Sequence, residues 1–170
     1  MCALSNQSHS AHSVHLASAQ HSAAKLAIRS AARQERGAIC RVECACFNWE
    51  RLLFGLWWRV GQADTQAWVA EYEGNDKPQL AGYLIAYAKL LDEQPVFYVG
   101  GIGVHPKFRK RGIGAQLMQA VMQQEPKIWL HVRARNQEAI RLYERLGFER
   151  MKTLPRFYGN GEDAFIMARL

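Results

Sequence analysis

No stretch of the 170 residues approaches the roughly 18 consecutive apolar positions that a membrane-spanning helix needs, because Lys, Arg, Glu or Gly interrupts every hydrophobic run. Acid is missing from residues 1–34, which hold Lys25, Arg29 and Arg33 but no Asp or Glu, so nearly half of the net charge of +7 sits in that segment. Cysteine is sparse and unevenly placed: Cys40, Cys44 and Cys46 crowd together, and Cys2 lies far from them. Secreted disulfide scaffolds spread an even set along the chain, so a reducing compartment is expected. Cys40 and Cys44, four apart on one helix, could share a metal. No second Cys or His pair at ligand spacing accompanies them, and burial as small hydrophobes is the expected role. Two phosphate-binding patterns are absent as well. No Gly-Lys-Ser/Thr follows the glycines near 112, and Leu117 stands where Gly-x-Gly-x-x-Gly requires its last glycine.

What is present is an ordinary globular composition, 49% hydrophobic and 22% charged, enough for one domain with a proper core. Residues 1–24, rich in Ser, Ala, His and Gln, cannot bury enough apolar surface to offset the entropy of ordering and are expected to form a disordered tail. His9, His12, His15 and His21 within it invite a metal reading, but a polar low-complexity leader is the favoured one. The lack of acid also resembles an organellar transit peptide, although Arg is too sparse for one. The domain is therefore expected over residues 25–170, in the cytoplasm.

Hydrophobic spacing predicts a short strand at Leu26–Ile28, a helix from about Gln34 carrying Ile39, Val42, Cys46 and Phe47, and a second helix over Trp49–Val60 ended by Gly61. Three strands follow, Ala67–Tyr72, Leu80–Leu90 and Val96–Val104, joined by turns at Gly74-Asn75-Asp76 and Asp92-Glu93-Gln94-Pro95; they read as an antiparallel meander. A helix at Gly112–Gln124, a strand at Ile128–Val132, a helix at Gln137–Leu146 and strands at Arg150–Leu154 and Ala164–Arg169 complete the chain. One crossover, from Val104 to Ile128, makes the sheet mixed and the class α+β.

Two stretches carry chemistry. In Val99-Gly100-Gly101-Ile102-Gly103-Val104 three glycines interrupt a strand, which marks a bulge or a backbone laid against a ligand. Directly after it, Lys107, Arg109, Lys110 and Arg111 lead into Gly112-Ile113-Gly114 at a helix start, where free N–H groups and the helix dipole attract anions such as a pyrophosphate. A solvated basic turn is the plainer alternative. In the second stretch, Trp129 to Phe148, a strand ends near Arg133, Asn136 suits a helix N-cap, Tyr143 stands two turns in, and Gly147 suits a left-handed C-cap.

Together, Arg109-x-x-Gly112-x-Gly114 after a strand end and Asn136-x-x-Ala139-x-x-x-Tyr143-x-x-x-Gly147-Phe148 resemble the acetyl-CoA site of the GNAT acetyltransferase superfamily. Leu130-His131-Val132-Arg133, Arg156-Phe157-Tyr158 and Glu162-Asp163-Ala164 are most similar to protein N-terminal α-amine acetyltransferases, the ribosomal-protein-alanine enzymes among them. The resemblance implies a mostly antiparallel seven-stranded sheet flanked by about four helices. It implies acetyl-CoA as co-substrate, no metal, and a protein N-terminus or peptide as acceptor, a ribosomal protein among the candidates, with no membrane or nucleic-acid partner. Backbone groups of Ile102, Gly103 and Val104 would pair with the pantetheine arm. Arg109 and the N–H groups of Lys110, Arg111, Gly112, Ile113, Gly114 and Ala115 would hold the pyrophosphate, and Asn136 would bond the pantetheine. Tyr143 would protonate the leaving thiolate and His131 would take the amine proton. Phe157 and Tyr158 would line the acceptor. Two positions depart from the ribosomal-protein enzymes: His131 replaces a glutamate, and Phe157 replaces the first of two tyrosines. A small amine as acceptor, or a nonenzymatic CoA- or RNA-binding module, remains the alternative.

Overall fold

A computed structural model describes residues 25–47, 56–73, 77–91 and 93–170. The expected tail over 1–24, with its histidines and Cys2, lies outside the described residues, as does the turn at 74–76. Seven strands form one sheet: β1 (Lys25–Ser30), β2 (Thr65–Glu73), β3 (Gln79–Leu91), β4 (Gln94–Val104), β5 (Ile128–Arg133), β6 (Glu149–Leu154) and β7 (Ala164–Arg169). Their spatial order is β1-β2-β3-β4-β5-β7-β6. Every neighbouring pair is antiparallel except β4 and β5. Those two are parallel because helix α2 (Ile113–Gln124) fills the crossover between them.

Both faces of the sheet are covered. Along β3, Leu84 and Ala86 enter the larger core with Leu117, Met118 and Val121 of α2, while Tyr83 and Ile85 enter a second core with Ile39 and Val42 of helix α1 (Arg36–Cys46). Double burial explains why the middle of β3 is continuously apolar instead of alternating. Helix α3 (Gln137–Arg145) adds Ile140 and Tyr143 to the larger core. At the edge of the sheet Arg29 ties β1 to both neighbours, with Nε 2.8 Å from Glu71 and Nη2 2.8 Å from Glu35; the guanidinium holds the Glu35 carboxyl below its ordinary range.

Two expectations change. Of the helix expected over 49–60, residues 49–55 lie outside the described residues, and Leu56–Arg59 is a single 3-10 turn. Three α-helices are therefore found among the described residues, where about four were expected. The cysteines are not buried as a group: Cys44 is exposed, and Cys40 and Cys46 are half-buried. The inward stripe of α1 runs through Ile39, Val42 and Glu43, so Cys44, one residue beyond Glu43, is turned toward water. The bulge expected from the glycines of β4 is present, and the space beside these glycines is filled by the protein's own side chains. A Cβ at Gly100 would lie 2.6 Å from Leu56 and 2.7 Å from Tyr87, and one at Gly103 would lie 2.8 Å from Tyr83. Gly100 is also the extra residue of a bulge, because Ile85 pairs with Gly101 and Ala86 with Val99.

Candidate functional site

Pairing between β4 and β5 runs from Phe97↔Ile128 through Tyr98↔Trp129 and stops at Val99↔Leu130. Beyond that point β4 follows β3 as far as Val104 and β5 follows β7 as far as Arg133. The two strands thus part, and the β5-facing edge of Gly101–Val104 is left outside the ladder. Exposed strand edges of this kind accept another extended chain.

The end of the cleft nearest α2 suits an anion. Gly112 adopts φ 72°, a left-handed conformation that a side chain strains, and begins α2 with no side-chain cap. The first bond back into the helix is Gln116 N–H to the Gly112 carbonyl, so the N–H groups of Ile113, Gly114 and Ala115 have no partner within the helix. Of the basic residues before it, Arg111 lies over Tyr72 and Phe108 at 5.2 and 5.7 Å, and Lys107 over Phe108 at 5.6 Å. Arg109 turns back on the end of β4, donating from Nε to the Val104 carbonyl at 3.2 Å. It also meets the Cys46 thiol, which burial nonetheless pushes up. The beginning of α2 approaches both other walls: a Cβ at Gly114 would lie 3.4 Å from Leu142 of α3 and 4.0 Å from Val104. Asn136 caps α3, its side-chain oxygen accepting from Ala139 N–H at 3.1 Å, and its amide nitrogen has no hydrogen-bond partner among the described residues. Tyr143 is 5% exposed and packs in one cluster with Ile102, Val104 and Phe148.

His131 is the first β5 residue past the last β4 pair. Its Nδ1 lies 3.0 Å from the Tyr98 hydroxyl. Phe157 stacks on the imidazole at 4.4 Å and 25°, and Trp129 meets it edge-on at 5.1 Å. Burial first, and then the Lys89 ammonium, lower its pKa below the ordinary histidine value, so the ring is neutral at pH 7. The loop that delivers Phe157 is held closed. Glu162 pairs with Arg133 at 2.7 Å and Arg135 at 3.1 Å, Asp163 accepts from Arg156 N–H at 2.8 Å, and Arg133 lies 3.9 Å over the Tyr158 ring.

The structure therefore brings His131, Phe157 and Tyr158 together on one side of the cleft, and Ile102–Val104, the 110–115 turn, Asn136 and Tyr143 around the other. Sequence reasoning missed Tyr98, Trp129, Tyr87 and Lys89. Period-two alternation places Trp129 on the His131 face, but finding Tyr98 and Lys89 requires the register across β3, β4 and β5.

Residues 28–148 match the profile of the acetyltransferase (GNAT) family. An N-alpha-acetyltransferase of Sulfurisphaera tokodaii is 40% identical over 77 residues, 42% of this chain and 46% of that protein. A peptidyl-lysine N-acetyltransferase of Escherichia coli is 30% identical over 130 residues, 71% of this chain and 82% of that protein. The crystal structure of the ribosomal-protein-S18-alanine N-acetyltransferase from Escherichia coli superposes with a TM-score of 0.68 at 26% identity, covering 85% of this chain and 93% of that one. The chain spans about half the length of the N-alpha-acetyltransferases it matches.

Proposed function

Because the chain belongs to the acetyltransferase (GNAT) family, we propose that it transfers an acetyl group from acetyl-CoA to an amine, the N-terminal α-amine of a protein being the acceptor. The observation that carries this reading is the parting of β4 and β5 beyond Val99↔Leu130, with an uncapped helix start at one end and the His131–Tyr98 pair at the other. The cleft fits acetyl-CoA on its own terms: a free strand edge suits the amide-bearing pantetheine arm, and unpaired N–H groups beside a basic turn suit a pyrophosphate.

Bound there, acetyl-CoA supplies the thioester carbonyl that the amine attacks and the sulfur that departs. The chain supplies the rest. Backbone groups of Ile102–Val104 hold and orient the arm, and N–H groups of 110–115 hold the pyrophosphate. Asn136 offers its amide nitrogen to the arm. His131, neutral at pH 7, takes a proton from the incoming ammonium. Tyr143 carries the proton destined for sulfur. The Phe157 stack keeps water from the imidazole on one face.

Acceptor-dependent release of free thiol tests the reaction. Peptides with free N-termini, N-terminally blocked peptides containing lysine, and polyamines are compared in the presence of acetyl-CoA. Turnover confined to free N-termini is expected. Turnover confined to lysine side chains or polyamines would refute the α-amine acceptor.

Two variants probe the walls. Gly112→Val has space, since a Cβ there would meet only Gln116 at 4.0 Å, but a β-branched residue at positive φ is strained. The turn should relax and its N–H groups should swing away. Calorimetry should then show CoA affinity falling at least about tenfold, with melting within a few degrees of the parent; unchanged affinity would remove the phosphate role of this turn. Glu162→Gln weakens the hold on Arg133 and Arg135, freeing the Phe157 loop. The acceptor KM should rise about three- to tenfold while the acetyl-CoA KM stays put, on the scale of one partly exposed ion-pair network.

A further inference from the structure

The proposed acceptor side of the cleft carries positive charge of its own. Cations already lie on its aromatic faces: Arg59 at 3.9 Å from the Tyr87 ring, Lys89 at 4.9 Å from Tyr98 and 5.1 Å from Trp129, and Arg133 at 3.9 Å from Tyr158. Two of them are balanced where they stand, Arg59 by Asp64 and Arg133 by Glu162. Lys89 makes no ion pair among the described residues. Tyr98 and Trp129, the rings that hold its ammonium, are the ones that touch His131, one by a 3.0 Å hydrogen bond and the other edge-on at 5.1 Å. The charge reaches the imidazole, since Lys89 is one of the two causes that depress its pKa.

This arrangement treats substrates unequally. A cationic acceptor, such as a polyamine or a peptide with lysine beside its end, finds these aromatic faces taken and meets an unbalanced ammonium. A carboxylate near the reacting amine finds a counter-ion in place. The four-carbon stem of Lys89 lets the ammonium leave the rings to meet it. We infer that Lys89 is a specificity-determining residue that selects acceptors with an acidic side chain next to the reacting amine, a conclusion that rests on the α-amine reading above.

Matched peptides that differ only in having Asp, Asn or Lys as second residue test this with the full chain, at saturating acetyl-CoA and low salt. The expected order of kcat/KM is Asp, then Asn, then Lys. Attraction of one exposed pair and repulsion of the other each contribute a few-fold, so the Asp to Lys ratio should be about tenfold. It should shrink toward unity near 1 M salt, where screening acts over about 3 Å. Lys89→Met should flatten the series and Lys89→Glu should invert it. An Asp preference that survives in Lys89→Glu overturns the role of Lys89. Equal use of the three peptides by the parent overturns it as well and leaves N-terminal acetylation standing. If all three peptides are inert while polyamines or lysine side chains react, the α-amine reading itself falls, and this inference with it.

Discussion

His131→Ala should lower turnover by about two to four orders of magnitude, the range for a positioned general base, and should erase the acidic limb of the pH profile. In the parent enzyme that limb should have its midpoint below the ordinary histidine value of about 6.5. The sign follows from the surroundings. Burial between Phe157 and Trp129, and then the nearby Lys89 ammonium, disfavour the imidazolium, so the base stays neutral to lower pH and activity is lost only as pH falls through that depressed value. The Tyr98 contact at Nδ1 sets a further condition. For Nε2 to act as base, Nδ1 must carry the ring proton and the tyrosine oxygen must accept it, because a neutral imidazole has one donor and one acceptor. Tyr98→Phe should therefore reduce turnover less than His131→Ala while leaving an acidic limb. His131→Glu should recover part of the lost activity and move the limb toward the carboxylate range, near pH 4 to 5. Rates measured from pH 4.5 to 8.5 at saturating acetyl-CoA check all three variants. A limb that persists unchanged in His131→Ala would assign the proton to another group.

The two walls of the cleft differ in how far the sequence exposes them. The wall proposed to hold the pyrophosphate is local. Gly112 begins a helix, Asn136 caps one, and Tyr143 lies seven residues after that cap, so each proposed role is signalled by spacing within a single turn or helix. The acceptor wall is assembled across strands. Tyr87 opposite Tyr98, and Tyr98 opposite Trp129, become neighbours only once the register is fixed, and the bulge at Gly100 shifts that register by one residue. A period-two pattern cannot reveal such a shift. The β4 glycines are legible in part. Their interruption of a strand announces the bulge found at Gly100, but not that Tyr83, Tyr87 and Leu56 occupy the space that side chains there would need. Glu43 is a third case: its place on α1 is readable from helical period, but its burial at 3% exposure depends on the sheet that the helix packs against. Local signals thus set out the side proposed for the co-substrate, and non-local pairing sets the side proposed for the acceptor.

Tyr143→Phe separates a proton carrier from a core residue. Tyr143 is 5% exposed, its ring lies 5.8 Å from Phe148, and it shares a cluster with Ile140, Ile102 and Val104, so a purely structural tyrosine would look much the same. Phenylalanine keeps the ring and its packing and removes only the hydroxyl. If that hydroxyl carries the proton to the departing sulfur, turnover should fall about ten- to a thousandfold, overlapping the range for a positioned acid. The acetyl-CoA affinity and melting temperature should stay close to those of the parent, because the interaction lost is one that matters in the transition state. A structural role gives the reverse pattern, with a lowered melting temperature and turnover at saturation little changed. Single-turnover thiol release at saturating acceptor, with calorimetric CoA titration on the same preparation, tells the two apart. A fall in affinity that accounts for the whole loss of rate would make Tyr143 part of the binding wall instead of the proton path.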